Sequence, residues 1–501
     1  MNLERLFLHT LVFPFKRILC GTTLGLVALL NLVADERPNF IFFIADDVSQ
    51  EDLGIYGHPV IQTPHIDALA AEGMRFDNAY LTSSSCSPSR ISIVTGRYPH
   101  NTGAPELHKQ MPADQVPFTR ILREHGYYTV LSGKNHMVTP EHEAFDKISK
   151  GRGPGGNADW KQEVIDRPRD KPFFFWFSAN DAHRKWQITD EVQTYPPEDV
   201  VIPPYMFDGP ETRDDLASYY HEVSRFDYYV GEVVEELRAQ GVLENTFIVV
   251  TADNGRPHIR AKGTVYDSGI RAPWIVHYPE IVDTGSVSES LISSIDFSAT
   301  CLELAGISKP EPIQGISFLP ILKAPEATTR DFIFAEQNWH VYAMNLRLVR
   351  LGDYTYIHNR RPDILSLTLE SGVQYPAGKE LWEAHAAGLT NDAQTPMFQL
   401  PAPEEMLFDV SKDPHQLINL AENPEYDSKL KQMRALLSEW VEQTGDSVPT
   451  NPTPHRRSQP KIENGKLIRP GKVTGPRNPH AEMPGASKGA EQINHRGPVR
   501  L

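Results

Sequence analysis

Cysteine is scarce: Cys20, Cys86 and Cys301 are the only three in 501 residues. Three thiols cannot build a disulfide framework, which excludes a small stapled secreted module. Basic charge is also in deficit. Lys and Arg total 49 against 65 Asp and Glu, a formal charge of −16. That argues against nucleic acid as a partner, because phosphates demand a basic face. An anionic small ligand stays open, since a site needs only a local cluster of Lys, Arg and His. Long apolar runs are missing too. Ile18 to Val33 is only about 16 residues, short of the roughly 20 that cross a bilayer, so no stable membrane span is expected. Arg5, Lys16 and Arg17 precede it and Val33-Ala34-Asp35 ends it. That order reads as a secretory signal peptide, residues 1–34, and places the mature chain in the periplasm or outside the cell.

Four apolar runs share one feature. Phe40-Ile41-Phe42-Phe43-Ile44-Ala45 ends at Asp46-Asp47, and Tyr128-Thr129-Val130-Leu131 at Gly133-Lys134-Asn135-His136. Phe173-Phe174-Phe175-Trp176-Phe177 runs into Asn180-Asp181-Ala182-His183, and Phe247-Ile248-Val249-Val250-Thr251 into Asp253-Asn254-Gly255. Unbroken runs of this length fit strands buried on both faces of a parallel sheet. Such sheets put their sites at the carboxyl ends of the strands. The expected fold is therefore α/β, a large, mostly parallel sheet sandwiched by helices.

Helices fill the gaps. Thr63-Pro64 opens one, and Asp214 to Gln240 makes a longer one with apolar residues at three- and four-residue steps. After about residue 330 the pattern changes. Leu346–Leu351 and Tyr354–Ile357 flank Gly352-Asp353, a hairpin signal, and Glu422 to Thr444 offers a closing helix. The expected division is a catalytic α/β domain over 35–330 and a smaller antiparallel sheet plus helix over 331–444. Residues 445–501 form a Pro/Gly-rich tail with ten Lys or Arg against three Glu from Asn451 onward. Such a tail is expected to be extended or disordered. Cys301 sits in a helix-like stretch and reads as a buried structural thiol.

Cys86-Ser87-Pro88-Ser89-Arg90 is the sharpest signal. The following Ile91–Thr95 looks helical, which puts Cys86 at a helix N-terminus, where the macrodipole favours an anion. A cysteine there reads, on its own chemistry, as a low-pKa thiolate nucleophile. Asp46, Asp47, Asp253 and Asn254 offer only oxygen ligands, which suits a hard divalent cation such as Ca²⁺ rather than zinc.

These residues, with Thr95-Gly96-Arg97, Lys262-Gly263-Thr264-Val265-Tyr266 and Leu407 to Pro414 in order, resemble the formylglycine-dependent sulfatases of the alkaline phosphatase superfamily. The resemblance runs from about Arg37 to Thr444. It implies that a formylglycine-generating enzyme oxidises Cys86 to an aldehyde, whose hydrate attacks sulfur beside one Ca²⁺. Asp46, Asp47, Asp253, Asn254 and the modified Cys86 would then hold the ion. Arg90 would hold the hydrate, and Lys134 and Lys262 the sulfate. His183 would give a proton to the leaving oxygen or nitrogen, and His136 would take one from the remaining hydroxyl. A histidine pKa near neutrality would suit both steps. Two positions depart from many relatives: Asn135 stands where Trp is common, and Ala182 where Pro is.

Within the family, Ser85–Arg90, Leu107-His108 and Thr212-Arg213-Asp214-Asp215-Leu216-Ala217 leading to Asp227 resemble heparan N-sulfatase (sulfamidase) and its bacterial relatives. That subgroup implies a sulfated carbohydrate substrate, with N- or O-sulfate open. Candidate sugar contacts are His108 and His340, followed by Arg184, Trp186, His258 and Arg260. The rival readings are a phosphate or phosphonate ester hydrolase of the same superfamily, a noncatalytic binder of sulfated glycans, and a plain thiol hydrolase.

Overall fold

The structure, a computed structural model, describes residues 37–463, 466–468, 478, 480–485 and 489–501. The expected signal peptide, residues 1–34 with Cys20, lies outside the described residues.

The four apolar runs form the middle of one eight-stranded sheet. Its spatial order is Lys147–Ser149, Tyr128–Gly133, Phe173–Ser178, Asn39–Ala45, Thr246–Ala252, Trp274–His277, Met74–Phe76 and Ser286–Ser288. All neighbours pair in parallel except at Trp274–His277, which is antiparallel to both of its partners. Alternation along each strand sends its large side chains to two separate cores. Phe40, Phe42, Phe174, Trp176 and Phe247 face Phe297 and Phe118. Ile41, Phe43, Phe175, Phe177 and Val250 face Trp160 and the helix Pro210–Ala239. Each such side chain is fully buried, contributing about 1.5–3 kcal/mol.

The long helix begins at Pro210, four residues before the expected Asp214, because a proline is accommodated in the first turn. The closing helix begins at Asp427 rather than Glu422. Asn423-Pro424 makes a separate turn first, in which the Asn423 side chain accepts the Glu425 N–H. The hairpin forms as expected, Leu346–Leu351 against Tyr354–Asn359, inside a four-stranded antiparallel sheet with Phe332–Gln337 and Glu405–Asp409. Trp440 of the closing helix stacks on Phe334 of that sheet at 5.0 Å. The core is continuous across residue 330, since Ile333, Ala335 and Leu348 join the cluster that holds Phe42.

The described parts of the tail lie against the body. Asp446 meets Arg347 and Arg360 at 2.7 Å each, the Arg456 N–H donates to Val341 O at 2.8 Å, and the Asp331 N–H donates to Val499 O at 2.8 Å. Among the described residues no helix is long and apolar enough to cross a membrane. Cys301 is fully buried in Asp296–Leu304, where burial pushes its thiol pKa well up, in keeping with a structural role.

Candidate active site

Register brings the strand ends together. Gly133 and Ile44 both pair with Ser178, and Ala45 pairs with Ala252. Lys134, Asp46 and Asp253, each following its strand, therefore emerge side by side at one edge of the sheet. Gly133 has no substitute at that edge: its φ is +103° and a Cβ would sit 1.8 Å from Ser178 O.

Cys86 opens the helix Cys86–Thr95, all of whose residues are buried, with Ser85 before it. Its thiol points to Asp46 Oδ1 at 3.7 Å. Arg90, one turn on, donates from Nε to Asp253 Oδ2 at 2.7 Å and from Nη1 to Ser178 Oγ and Lys134 O. Lys134 pairs with Asp46, and Lys262 pairs with Asp47 at 2.6 Å. Three carboxylates thus meet three cations in a nearly dry space.

Burial opposes ionisation of Asp46, but Lys134, with His183, Arg90 and Lys262 behind it, outweighs burial and holds its carboxyl well below the usual range. Burial pushes Asp47 and Asp253 up against the pull of Lys262 and Arg90 respectively. A divalent cation is what such carboxylates need to ionise there. The donor atoms of Asp46, Asp47, Asp253 and Cys86 lie within 4.8 Å of one another. Asn254 donates to Asp47 Oδ1 at 2.6 Å, while its own buried Oδ1 has no partner. The residues therefore fit a hard cation: clustered carboxylate oxygens and an orphaned amide carbonyl oxygen.

Cys86 does not carry the low pKa expected of a thiolate. Burial pushes it up to about 12, overriding Lys134, Lys262 and the helix terminus. That counts against the plain thiol hydrolase. The two histidines also depart from expectation. His183 is drawn down to about 3 by the Lys262 charge and by burial. His136 is held at about 3 by burial, with Lys134 and Arg90 adding to it. Both imidazoles stand neutral over this cluster. His183 Nδ1 is hydrogen-bonded to Arg184 O, so its proton sits on Nδ1 and Nε2 keeps the lone pair.

Cys86, Lys134, His136, His183 and Lys262 line one cavity of about 550 Å³, together with His108 and His340. Asp47, Asp253, Asn254 and Arg90 lie behind its floor, fully buried. His108 Nδ1 is 2.7 Å from His136 Nε2, and His340 Nδ1 is 2.9 Å from Ser85 Oγ. Three site residues hold left-handed backbone, Asp47 at φ 69°, His136 at 45° and His108 at 63°. Non-glycine residues pay for that conformation and keep it where a side chain must be aimed.

Of the further sugar-contact candidates, Arg184 lines the cavity, held by both oxygens of Asp215. Trp186 and His258 pack behind it, around Asp215. Arg260 lies over Tyr266 and lines a different cavity. Sequence reasoning missed Glu222, Glu370, Tyr375 and Arg456 in the wall. None belongs to a motif, and only the basic balance of the tail hinted at Arg456.

Comparisons with known proteins identify the family. The family model described as Sulfatase matches residues 38–155 and 156–307, and that for N-sulphoglucosamine sulphohydrolase, C-terminal, matches 258–358. An ulvan-active sulfatase of Formosa agariphila is 31% identical over 83% of this chain and 77% of its own. The human N-sulphoglucosamine sulphohydrolase is 30% identical over 84% of this chain and 93% of its own. A protein solved in complex with its substrate D-glucosamine-2-N,6-O-disulfate superposes with a TM-score of 0.64. At 22% identity, over 81% of this chain and 97% of that one, it speaks to the fold.

Proposed function

This chain belongs to the sulfatase family and hydrolyses a sulfate ester or sulfamate; from that premise we propose that its substrate is a sulfated sugar, met by a formylglycine made from Cys86 and one Ca²⁺. The observation that carries the site assignment is Cys86 on the cavity floor, its Sγ 3.7 Å from Asp46 and both lysines beside it. Asp46, Asp47, Asp253 and Asn254 would hold the cation. When present, the cation polarises a sulfate oxygen, and the aldehyde hydrate offers one hydroxyl to attack sulfur and a second to expel sulfate.

The chain's own residues do the rest. Lys134 and Lys262 present ammonium groups to the sulfate oxygens, and Arg90 fixes the hydroxyls at position 86. His183 Nε2 faces the leaving atom. Its pKa is lowered first by the Lys262 charge and then by burial, and a bound sulfate offsets the first, which favours protonation of His183 when substrate is in place. It can then give that proton to the departing oxygen or nitrogen. His136, neutral beside His108, is ready to take a proton from the remaining hydroxyl.

Cys86 is only 3% exposed. A formylglycine-generating enzyme would therefore have to read Cys86-Ser87-Pro88-Ser89-Arg90 before the chain folds. The basic and apolar order of residues 1–34 supports export to the periplasm or beyond. Named relatives supply the substrate class: one acts on ulvan and another is a sulfohydrolase of N-sulphoglucosamine.

Peptide mass spectrometry of Phe76 to Arg90 from the native host tests the nucleophile. An aldehyde mass at position 86 establishes it. An unmodified thiol throughout removes it and leaves glycan binding as the reading to pursue.

A further inference from the structure

Among the described residues, the tail reaches the catalytic cavity at one, Arg456. Four anchors hold residues 453–456 beside the segment that carries His340. Thr453 Oγ1 donates to Glu106 Oε2 at 2.6 Å, and Trp339 Nε1 donates to Pro454 O at 2.9 Å. The Ala343 N–H donates to His455 Nδ1 at 2.9 Å, and the Arg456 N–H to Val341 O at 2.8 Å. This strap delivers the Arg456 side chain to the wall that also holds His108, His340 and Cys86.

The three cations deeper in that cavity are already matched, while Lys185, exposed like Arg456, has no carboxylate partner among the described residues. Lys134 faces Asp46, Lys262 faces Asp47 and Arg184 faces Asp215. Arg456 is exposed, and among the described residues no carboxylate pairs with it. Its charge is felt inside the site: after burial, it is the largest influence pressing the His108 pKa down. An unpaired guanidinium at the mouth of a pocket, in a chain of net charge −16, is a local exception to the protein's own field.

We propose that Arg456 is a specificity-determining residue that binds a second anionic group of the substrate, a sulfate or a carboxylate, while the scissile sulfate sits on the floor. The planar fork of donors matches either anion with two parallel hydrogen bonds. Floor and rim then read two charges on one saccharide. The anchors at Thr453, Pro454 and His455 hold the backbone, so that only the side chain's own freedom is lost when it binds. The assignment rests on the sulfated-sugar reading above.

The test uses the full-length, modified enzyme with Arg456→Ala and Arg456→Lys. Four substrates are compared: an aryl sulfate, a monosulfated glucosamine, a disulfated glucosamine and a sulfated disaccharide bearing a uronic acid. In Arg456→Ala, kcat/KM for a dianionic saccharide, divided by that for the monosulfated sugar, falls about tenfold, mainly through KM. Arg456→Lys recovers part of it. A drop confined to the disulfated sugar identifies the second anion as sulfate, and one confined to the uronate identifies a carboxylate. A ratio unmoved by Arg456→Ala overturns the assignment and leaves the sulfated-sugar reading intact. Wild-type turnover of the aryl sulfate but of no saccharide overturns both.

Discussion

His108 Nδ1 lies 2.7 Å from His136 Nε2, two imidazoles sharing one hydrogen at the mouth of the cavity, each on left-handed backbone. The buried Nδ1 of His136 has no partner, so this contact alone sets which of its nitrogens carries the proton. His108→Ala is expected to lower kcat about tenfold and to shift the acid limb of the kcat–pH profile. His136→Ala, which removes the proton acceptor itself, is expected to cost about 10²–10⁴-fold. An acid limb identical in His108→Ala and wild type would show that the contact does not tune His136.

Leaving-group chemistry separates the two histidines. Poor leaving groups such as sugar hydroxyls need a proton as the bond to sulfur breaks, whereas activated aryl oxides do not. His183→Ala is expected to hurt sugar sulfates at least about 10²-fold more than nitro-substituted aryl sulfates. Equal losses on both, measured as kcat/KM, rule out His183 as the acid.

Asp253 accepts Arg90 Nε at 2.7 Å with both side chains fully buried. Removing one partner of such a pair strands the other charge, at a cost of about 3–5 kcal/mol. Asp253→Ala should therefore lower the unfolding free energy by that order and abolish turnover. It should also lose the rise in Tm that added Ca²⁺ gives the wild type and that a chelator removes. A variant that keeps the full Ca²⁺-dependent rise would take Asp253 out of the ligand set.

His58 sets a pH dependence of stability away from the catalytic cavity. Its Nδ1 accepts two backbone N–H groups, from Val60 at 3.2 Å and Ile61 at 2.9 Å, so protonation breaks both bonds. Burial, with Arg256 adding to it, holds its pKa at about 4. The unfolded chain binds this proton below about pH 6.5 and the folded chain does not. Stability therefore falls as pH drops from about 6.5 to 4, by roughly 2 kcal/mol from this site at pH 5. Denaturant unfolding at pH 7.5 and 5.0 reads it: His58→Asn should lose that part of the difference between the two pH values.

The sequence by itself determined the central strands of the large sheet and the motifs that end them. Runs such as Phe40–Ala45 are short, apolar at every position and followed by polar motifs, as strands covered on both faces are, so the parallel sheet was legible along the chain. Asp46, Lys134, His183 and Asp253 were legible because each follows such a run within a short motif, and Cys86 because its motif resembles one family's. Boundaries at Pro210 and Asp427 were less so, since proline and asparagine near a helix start serve more than one local conformation. Tertiary structure decided the rest. The depressed pKa values of His136 and His183, and the raised one of Cys86, arise from burial and from charges that only folding brings near. Glu370 and Tyr375 enter the wall from a loop without a motif, and Arg456 arrives from a tail whose composition promised no fold. Local sequence encodes which residues stand at a strand end; what stands opposite them depends on contacts across hundreds of residues.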